Sequence, residues 1–526
     1  MSSRSLKTKK TALSGQAAPL PLVIGMLWCG CSLAQMPDVS KVPTESPTAS
    51  GQSGLSIEPS ITLRHTATNN ARLDATQLND QITELSPGLR VVANTARIQG
   101  FADYSLRSAH YAKGTASDQV WHNLNARGTV EAVQNAVFID VSGAAGLQPI
   151  SAFGAPGVDS PANPNLTQTT SFRISPYLRG TLGDAADYEL RYSLQEDQSD
   201  ADNRADVRQR NWRFFIGSQT VGQLWGWTLD ASDDTADFSN GRSIETTSLR
   251  GRLIYYISPQ FQFFGTGGVE STNQVTPTRE SRNIWGGGFD WRPSVRSRIS
   301  MERENRYFGE SHNVLLEYRT ARTLWSYVDR KNINTGLGDR SLATIGSLYD
   351  LLDNIYARIE SNSIRRSQLV LQEIERRGVP ANTQVFPDYL TSSSTVQRLQ
   401  QLSLALLGQR STVTVAVSRS DSRALDGLLR LGDDFDVNTR IRQRGWHLTA
   451  GHRLTPNASV NASLSDVRSL GSAPGQETRV RSFALGWDAL VARRTSVGIQ
   501  LRRSLLNGGA RDYSESAITG FITHRF

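Results

Sequence analysis

Asp187-Tyr188-Glu189-Leu190-Arg191-Tyr192-Ser193-Leu194-Gln195 alternates without a break, apolar at the even positions and polar at the odd ones. Successive side chains of a β-strand point to opposite faces, so this stretch is a strand with one greasy and one wet face. The same period recurs where Val295, Ile299 and Met301 oppose Arg296, Arg298, Ser300 and Glu302, and where Val497, Ile499 and Leu501 oppose Gly498, Gln500 and Arg502. It runs, with interruptions, from Ser56 to the end of the chain.

A soluble sandwich alternates as well, so the interruptions have to decide. Tight turns fall near Asn94-Thr95, Gln134-Asn135, Gly183-Asp184, Pro259-Gln260, Pro293-Ser294, Gly408-Gln409, Pro456-Asn457 and Arg493-Arg494. Between them lie longer polar loops at 65–79, 148–167, 198–207, 234–243, 272–280, 421–434, 469–476 and 506–513. Short turns on one rim and long loops on the other are the pattern of an outer-membrane β-barrel. The expected fold is therefore all-β, a large antiparallel transmembrane barrel of about 18–22 strands. Trp121, Trp212, Trp227, Trp285, Trp291, Trp325, Trp446 and Trp487 stand near strand ends, where interfacial girdles form.

The bulk figures agree. Of 526 residues, 38% are hydrophobic and 43 are glycine, and mean hydropathy is −0.39. Beyond the N-terminal region no stretch approaches the roughly 20 apolar residues of a membrane helix. Low hydropathy leaves a barrel open, because only alternate residues of each strand meet lipid. The net charge of +8 is carried mainly by arginine, for lysine occurs only at Lys7, Lys9, Lys10, Lys41, Lys113 and Lys331. No basic cluster with interleaved aromatics stands apart from the strand pattern, which excludes a nucleic-acid partner.

Arg4, Lys7, Lys9 and Lys10 precede an apolar run from Leu20 to Leu33, and Ser32-Leu33-Ala34 offers small residues for cleavage. Residues 1–34 thus read as a secretory signal peptide, and 35–55 as a flexible Pro/Ser/Thr/Gly segment ahead of a barrel spanning 56–526. Both cysteines, Cys29 and Cys31, fall in the leader, so the mature chain offers no thiol chemistry. The rhythm breaks once. Leu348, Leu351, Leu352, Ile355, Tyr356 and Ile359 share a helical stripe, Ser363 offers a cap, Leu369, Val370 and Ile374 continue, and Gly378 with Pro380 stops the run. A helical insertion is expected near 345–380, within a long excursion over 333–392, either as a lid on the lumen or as a decoration of the rim.

Chemistry-bearing motifs are sparse. His65, His110, His122, His312, His447, His452 and His524 are scattered, and no Gly-rich phosphate loop joins a strand to a helix. No catalytic, cofactor or metal site is expected, and the chain does not read as an enzyme. Arginine on the polar faces offers forked donors for an acidic polymer, with Arg191, Arg296, Arg298, Arg303 and Arg306 as the candidate lumen contacts. The competing reading pairs most such arginines with lumen acids such as Glu189, Glu302 and Glu304.

A set of short motifs in order adds a family. Thr68-Asn69-Asn70 follows the first strand, where the family usually reads Thr-Asp-Asn. Ser86-Pro87-Gly88, Tyr104, Ser175-Pro176-Tyr177, Tyr188-Glu189-Leu190-Arg191-Tyr192 and Asp290-Trp291-Arg292-Pro293 come next. Arg303-Glu304-Asn305-Arg306-Tyr307-Phe308-Gly309, Tyr318-Arg319-Thr320 and Arg376-Arg377-Gly378-Val379-Pro380 complete the series. Over 56–526 the chain resembles the outer-membrane proteins of PEP-CTERM/exosortase systems and their exopolysaccharide loci. The resemblance implies a barrel in the cell outer membrane, linked to export or surface assembly of exopolysaccharide, with no established catalytic residues. The alternatives are a general or solute-specific porin and a non-transporting structural barrel. Expected partners are outer-membrane lipids and lipopolysaccharide, the barrel-assembly machinery, which a C-terminal strand ending in Phe526 would address, and an anionic exopolysaccharide.

Overall fold

The structure is a computed structural model that describes residues 54–157, 160, 162–202, 204–218, 224–239, 241, 243–334, 352, 353, 356, 366, 367, 369, 370, 389–425, 433–508 and 512–526. Among them are 22 strands. The first half comprises β1 (Gly54–Thr68), β2 (Asp80–Asn94), β3 (Ile98–Tyr111), β4 (Gln119–Val133), β5 (Val137–Pro149), β6 (Leu166–Leu182), β7 (Ala186–Ser199), β8 (Val207–Ser218), β9 (Trp225–Phe238), β10 (Ser243–Ser258) and β11 (Phe261–Thr272). The second comprises β12 (Glu280–Ser294), β13 (Ser297–Arg306), β14 (Gly309–Arg319), β15 (Thr323–Asn334), β16 (Thr395–Leu407), β17 (Ser411–Ala424), β18 (Arg440–Thr455), β19 (Ala458–Gly471), β20 (Glu477–Ala492), β21 (Thr495–Asn507) and β22 (Tyr513–Arg525).

Each strand pairs antiparallel with the next, and β1 pairs with β22 from Ser60↔Arg525 to Thr68↔Ala517. The ring is closed, so no sheet edge is left with unpaired N–H and C=O groups. One rim carries turns at 95–97, 134–136, 183–185, 259–260, 295–296, 320–322, 408–410, 456–457 and 493–494. Two of them need left-handed backbone, supplied by Asn135 (φ 55) and Gly183 (φ 58). The turn expected at Pro293-Ser294 sits at 295–296 instead, because β12 runs on through an irregular register between Trp291 and Ser294. The other rim carries long connections at 69–79, 112–118, 150–165, 200–206, 273–279, 335–394 and 425–439, with short ones at 239–242 and 307–308. Both ends of the ring, at Gly54 and Arg525, lie on the short-turn rim.

Register carries one assignment of faces all the way round. On the outer face Leu63 of β1 stands between Leu85 of β2 and Ile522 of β22, and Phe263 of β11 stands between Tyr255 of β10 and Phe289 of β12. All but half-buried Phe289 are exposed, as are Leu253 (55%) and Trp285 (64%). The inner face is polar, and Thr66, Glu84, Asp140, Glu270 and Glu515 on it are buried. Trp212, Trp227, Trp285, Trp291, Trp325, Trp446 and Trp487 are exposed on the outer face, as girdle residues should be. Trp121 is not. It points inward and packs with Ala71, Ile82, Ala109 and Tyr111.

Gly286-Gly287-Gly288 lies within β12, where the sheet is pressed closest. A Cβ on Gly286 would collide with the Arg303 carbonyl, and one on Gly288 with the Met301 carbonyl and the Phe264 ring. Phe264 fills the space that Gly288 leaves, and Arg252 lies over that ring at 4.2 Å.

The leader expected at 1–34 and nearly all of the flexible segment at 35–55 lie outside the described residues, and β1 begins at Gly54. The helical insertion expected near 345–380 also falls almost wholly outside them. The few of its residues that are described, 352, 353, 356, 366, 367, 369 and 370, are helical, and the elements with bounds among the described residues include no helix beyond a single 3-10 turn at Asp434–Asp436.

Candidate functional site

The inner wall follows from the alternation that makes the strands. Where β5, β6 and β7 meet, Phe138 pairs with Tyr177 and Tyr177 with Arg191 across the ladder. The two rings stack with centroids 5.1 Å apart, Arg179 lies over Phe138 at 4.2 Å, and Arg191 lies over Tyr177 at 3.9 Å. Arg191 also donates to Glu189 at 2.7 Å and to buried Asp140. A planar guanidinium can do all of this at once, stacking with its face and donating with its edge.

Further round, the wall repeats the theme of one arginine against one carboxylate. Arg213 meets Asp230 at 2.6 Å, Arg298 meets Asp290 at 2.8 Å, Arg306 meets Glu270 at 2.7 Å and Arg502 meets Glu515 at 2.7 Å. Arg252 pairs with Glu302 and Arg107 with Glu84. A buried carboxylate is costly unless a cation and hydrogen bonds compensate it, so these pairs hold the wall polar and rigid. Arg127 and Arg179 are exposed inward-facing arginines with no ion pair among the described residues.

The five candidate arginines therefore separate. Arg191, Arg298 and Arg306 face the lumen, each bound to an acid. Arg303 is on the outer face, because it follows Met301 at period two, and it meets Glu310 of β14 at 2.8 Å. Arg296 is in the turn between β12 and β13, on the short-turn rim. Arg208, Arg210 and Arg503 also stand outside, the first two against Glu196 and Asp237.

A second feature lies across the long-loop rim. The carbonyl of Pro149, at the end of β5, accepts from the N–H of Leu390, just ahead of β16, at 3.0 Å. β5 and β16 stand on opposite sides of the 22-strand ring, so the chain joining them spans the mouth. Asp433 accepts from the Thr391 hydroxyl at 2.9 Å, the Ser392 N–H at 2.9 Å and the Ser393 hydroxyl at 3.1 Å. Asp434 accepts from the Ser151 hydroxyl at 2.8 Å and the Ala152 N–H at 2.7 Å. The 150–165 connection is braced internally, with Asn163 donating to the Ala155 carbonyl at 2.8 Å and Asn165 to those of Ser151 and Ala155 at 3.1 Å. Its far end reaches β21 and β22, where the Ser160 hydroxyl accepts from Arg502 at 2.9 Å and Ala155 packs with Leu73, Leu506 and Tyr513. Three connections are thus clasped into a bar over the lumen.

The sequence reading did not find the clasp. Its trace is Asp433-Asp434-Phe435-Asp436, where an acid at the cap and another three residues on form a capping box.

A closed antiparallel ring, oily outside and polar within, with short turns on one rim and long loops on the other, is an outer-membrane β-barrel. No family model matches the chain, and no curated protein matches it. Among solved structures it is similar to the FrpB iron transporter from Neisseria meningitidis, F5-1 variant, with 11% identity, TM-score 0.48, and 90% of this chain and 83% of that one covered. It is also similar to the siderophore receptor PirA from Pseudomonas aeruginosa, with 8% identity, TM-score 0.43 and coverages of 89% and 80%. A mutant of the ferric enterobactin receptor PfeA from the same organism gives 9% identity, TM-score 0.46 and coverages of 90% and 81%.

Proposed function

We propose that this barrel passes an anionic exopolysaccharide across the outer membrane, with the clasp over its mouth as the gate. The setting is the one that the PEP-CTERM/exosortase resemblance implies. The observation that carries the reading is the bar of loops, in which Leu390 to Pro149 and Ser151 and Ala152 to Asp434 are hydrogen-bonded between strands on opposite sides of the ring. A wall decorated for structure alone needs no such closure. Below the bar, Arg127 and Arg179 offer inward-facing exposed cations with no acid of their own among the described residues, Arg179 held in place over the buried Phe138–Tyr177 stack. No catalytic step belongs to this reading.

The experiment is conductance in planar bilayers. Wild-type protein should hold a small, intermittent current. Asp433→Ala/Asp434→Ala removes two hydrogen bonds to the opposing 150–165 connection and three that brace the neighbouring 389–394 segment, and should raise the open probability at least tenfold, since the two crossing bonds at about 1 kcal/mol each already exceed one decade together. A uronic-acid polymer added to the open variant should block the current, and Arg127→Gln/Arg179→Gln should relieve the block. Silence in every variant, including one lacking 340–380, ends the pore reading. Conductance without polymer block ends the anionic-polymer reading and leaves the pore.

A further inference from the structure

The outer face of a barrel has to be apolar only where it meets hydrocarbon, and the register shows where it stops being so. On adjacent strands Leu402, Val417 and Trp446 form one outward row across β16, β17 and β18. One step toward the long-loop rim, the next outward row reads Gln400, Arg419, Arg444, Arg468 and Arg479 across β16 to β20. Four arginines thus stand directly opposite one another on four neighbouring strands, about 5 Å apart strand to strand. Like charges so placed repel. Asp466 meets Arg479 at 2.6 Å, and Glu477 pairs with Arg468. Arg419 and Arg444, both exposed, have no carboxylate partner among the described residues.

The row is also the wall of a groove of about 610 Å³, whose lining includes Tyr327, Leu402, Val417 and Trp446 together with these four arginines. One side of the groove is therefore hydrocarbon-compatible and the other cationic. Trp446 marks the level of the interface, and the long-loop rim marks the outer leaflet. We propose that this groove holds a phosphorylated glycolipid of the outer leaflet. Its phosphate would lie between Arg419 and Arg444, taking forked hydrogen bonds from both, and an acyl chain would lie along Leu402, Val417 and Trp446. The lipid supplies the anion that the arginine row lacks, and the row in turn fixes the height of the barrel in the membrane. The site is on the outside of the ring and stands or falls separately from transport.

The test uses the full barrel, purified in detergent and titrated with bis-phosphorylated lipid A, with bound lipid counted by native mass spectrometry. Wild-type protein should keep one lipid A bound and bind phosphate-free lipid at least tenfold more weakly. Arg419→Gln/Arg444→Gln should lose lipid A binding at least tenfold. Both side chains are exposed and face like charges, so the change relieves repulsion, and the heat-modifiable gel shift should show an intact barrel. As a second variant, Arg208→Gln/Arg210→Gln alters outward arginines already paired with Glu196 and Asp237, and should keep the lipid. Retention of lipid A by the first variant, or equal loss by the second, overturns the site. Displacement of lipid A by equimolar inorganic phosphate overturns it too, by showing that a soluble anion suffices.

Discussion

Arg191 shows how much one side chain carries in this wall. Its guanidinium neutralises Asp140 and Glu189 while covering Tyr177, and only 12% of it is exposed. Arg191→Met keeps the stem and the ring contact but strands two carboxylates, one of them buried. The cost should be about 3 kcal/mol in guanidinium unfolding of the detergent-refolded barrel. Asp140→Asn in the same chain should return part of it, and a double-mutant cycle with no coupling would dismiss the pair as a structural element. At this scale the sequence was legible only in part. Alternation put Arg191, Arg298 and Arg306 on the wet face correctly. It put Arg303 there too, whereas Arg303 stands outside, as do Arg208, Arg210 and Arg503, and the reason is physical. These residues sit where the outer face has left the hydrocarbon and is polar as well, so polarity no longer separates inside from outside.

Strands and turns were legible because each is specified locally, by period two and by Pro, Gly and Asn at the bends. The tight turns at 183–185, 259–260, 456–457 and 493–494 fall where the residues place them. The turn at 320–322, built on Thr320 hydroxyl bonds to the N–H groups of Arg322 and Thr323, carries no Gly or Pro and escaped notice. The clasp escaped for a different reason. Its bonds join 150–165 to 389–394 and 425–439, and no local pattern records a partner so distant. One of its members gives the clasp a pH dependence. Burial pushes the Asp434 carboxyl above its usual range, against the opposing pull of the Ala152 N–H and the Ser151 hydroxyl. The docked loop then binds its proton more tightly than the released loop, so the Asp434 contribution to closure is fully present below the ordinary value of 3.8 and is lost as pH rises through the raised one. Open probability should therefore increase on going from about pH 3.5 to about pH 6. Asp434→Asn, uncharged throughout, should flatten the slope, and a wild-type channel that closes as pH rises would contradict the assignment.

Across the whole molecule the decisive contact is the seam that turns a sheet into a ring. β1 and β2 pair from Gly54↔Asn94 to Thr68↔Asp80, whereas β1 and β22 pair only from Ser60↔Arg525 to Thr68↔Ala517. Hydroxyl bonds stitch the inner side of this shorter ladder, Thr62 to Thr523 and Thr66 to Thr519, each at 2.9 Å. The last residue adds one bond, from the Phe526 N–H to the Pro59 carbonyl at 2.9 Å, while its ring stays 60% exposed beside His524. One exposed ring and one backbone bond are worth about 1 kcal/mol to the finished barrel. We propose that they matter more before closure, when β22 is an open edge, with the aromatic side chain of Phe526 as a handle for assembly machinery. Deletion of Phe526 should therefore leave refolding into detergent within about 1 kcal/mol of wild type but lower the amount of barrel reaching the outer membrane several-fold, as read by heat-modifiable migration in membrane fractions. Thr66→Val/Thr519→Val should do the reverse, lowering detergent stability with little effect on delivery. If both changes act on stability alone, the terminal phenylalanine is a seam residue and nothing more.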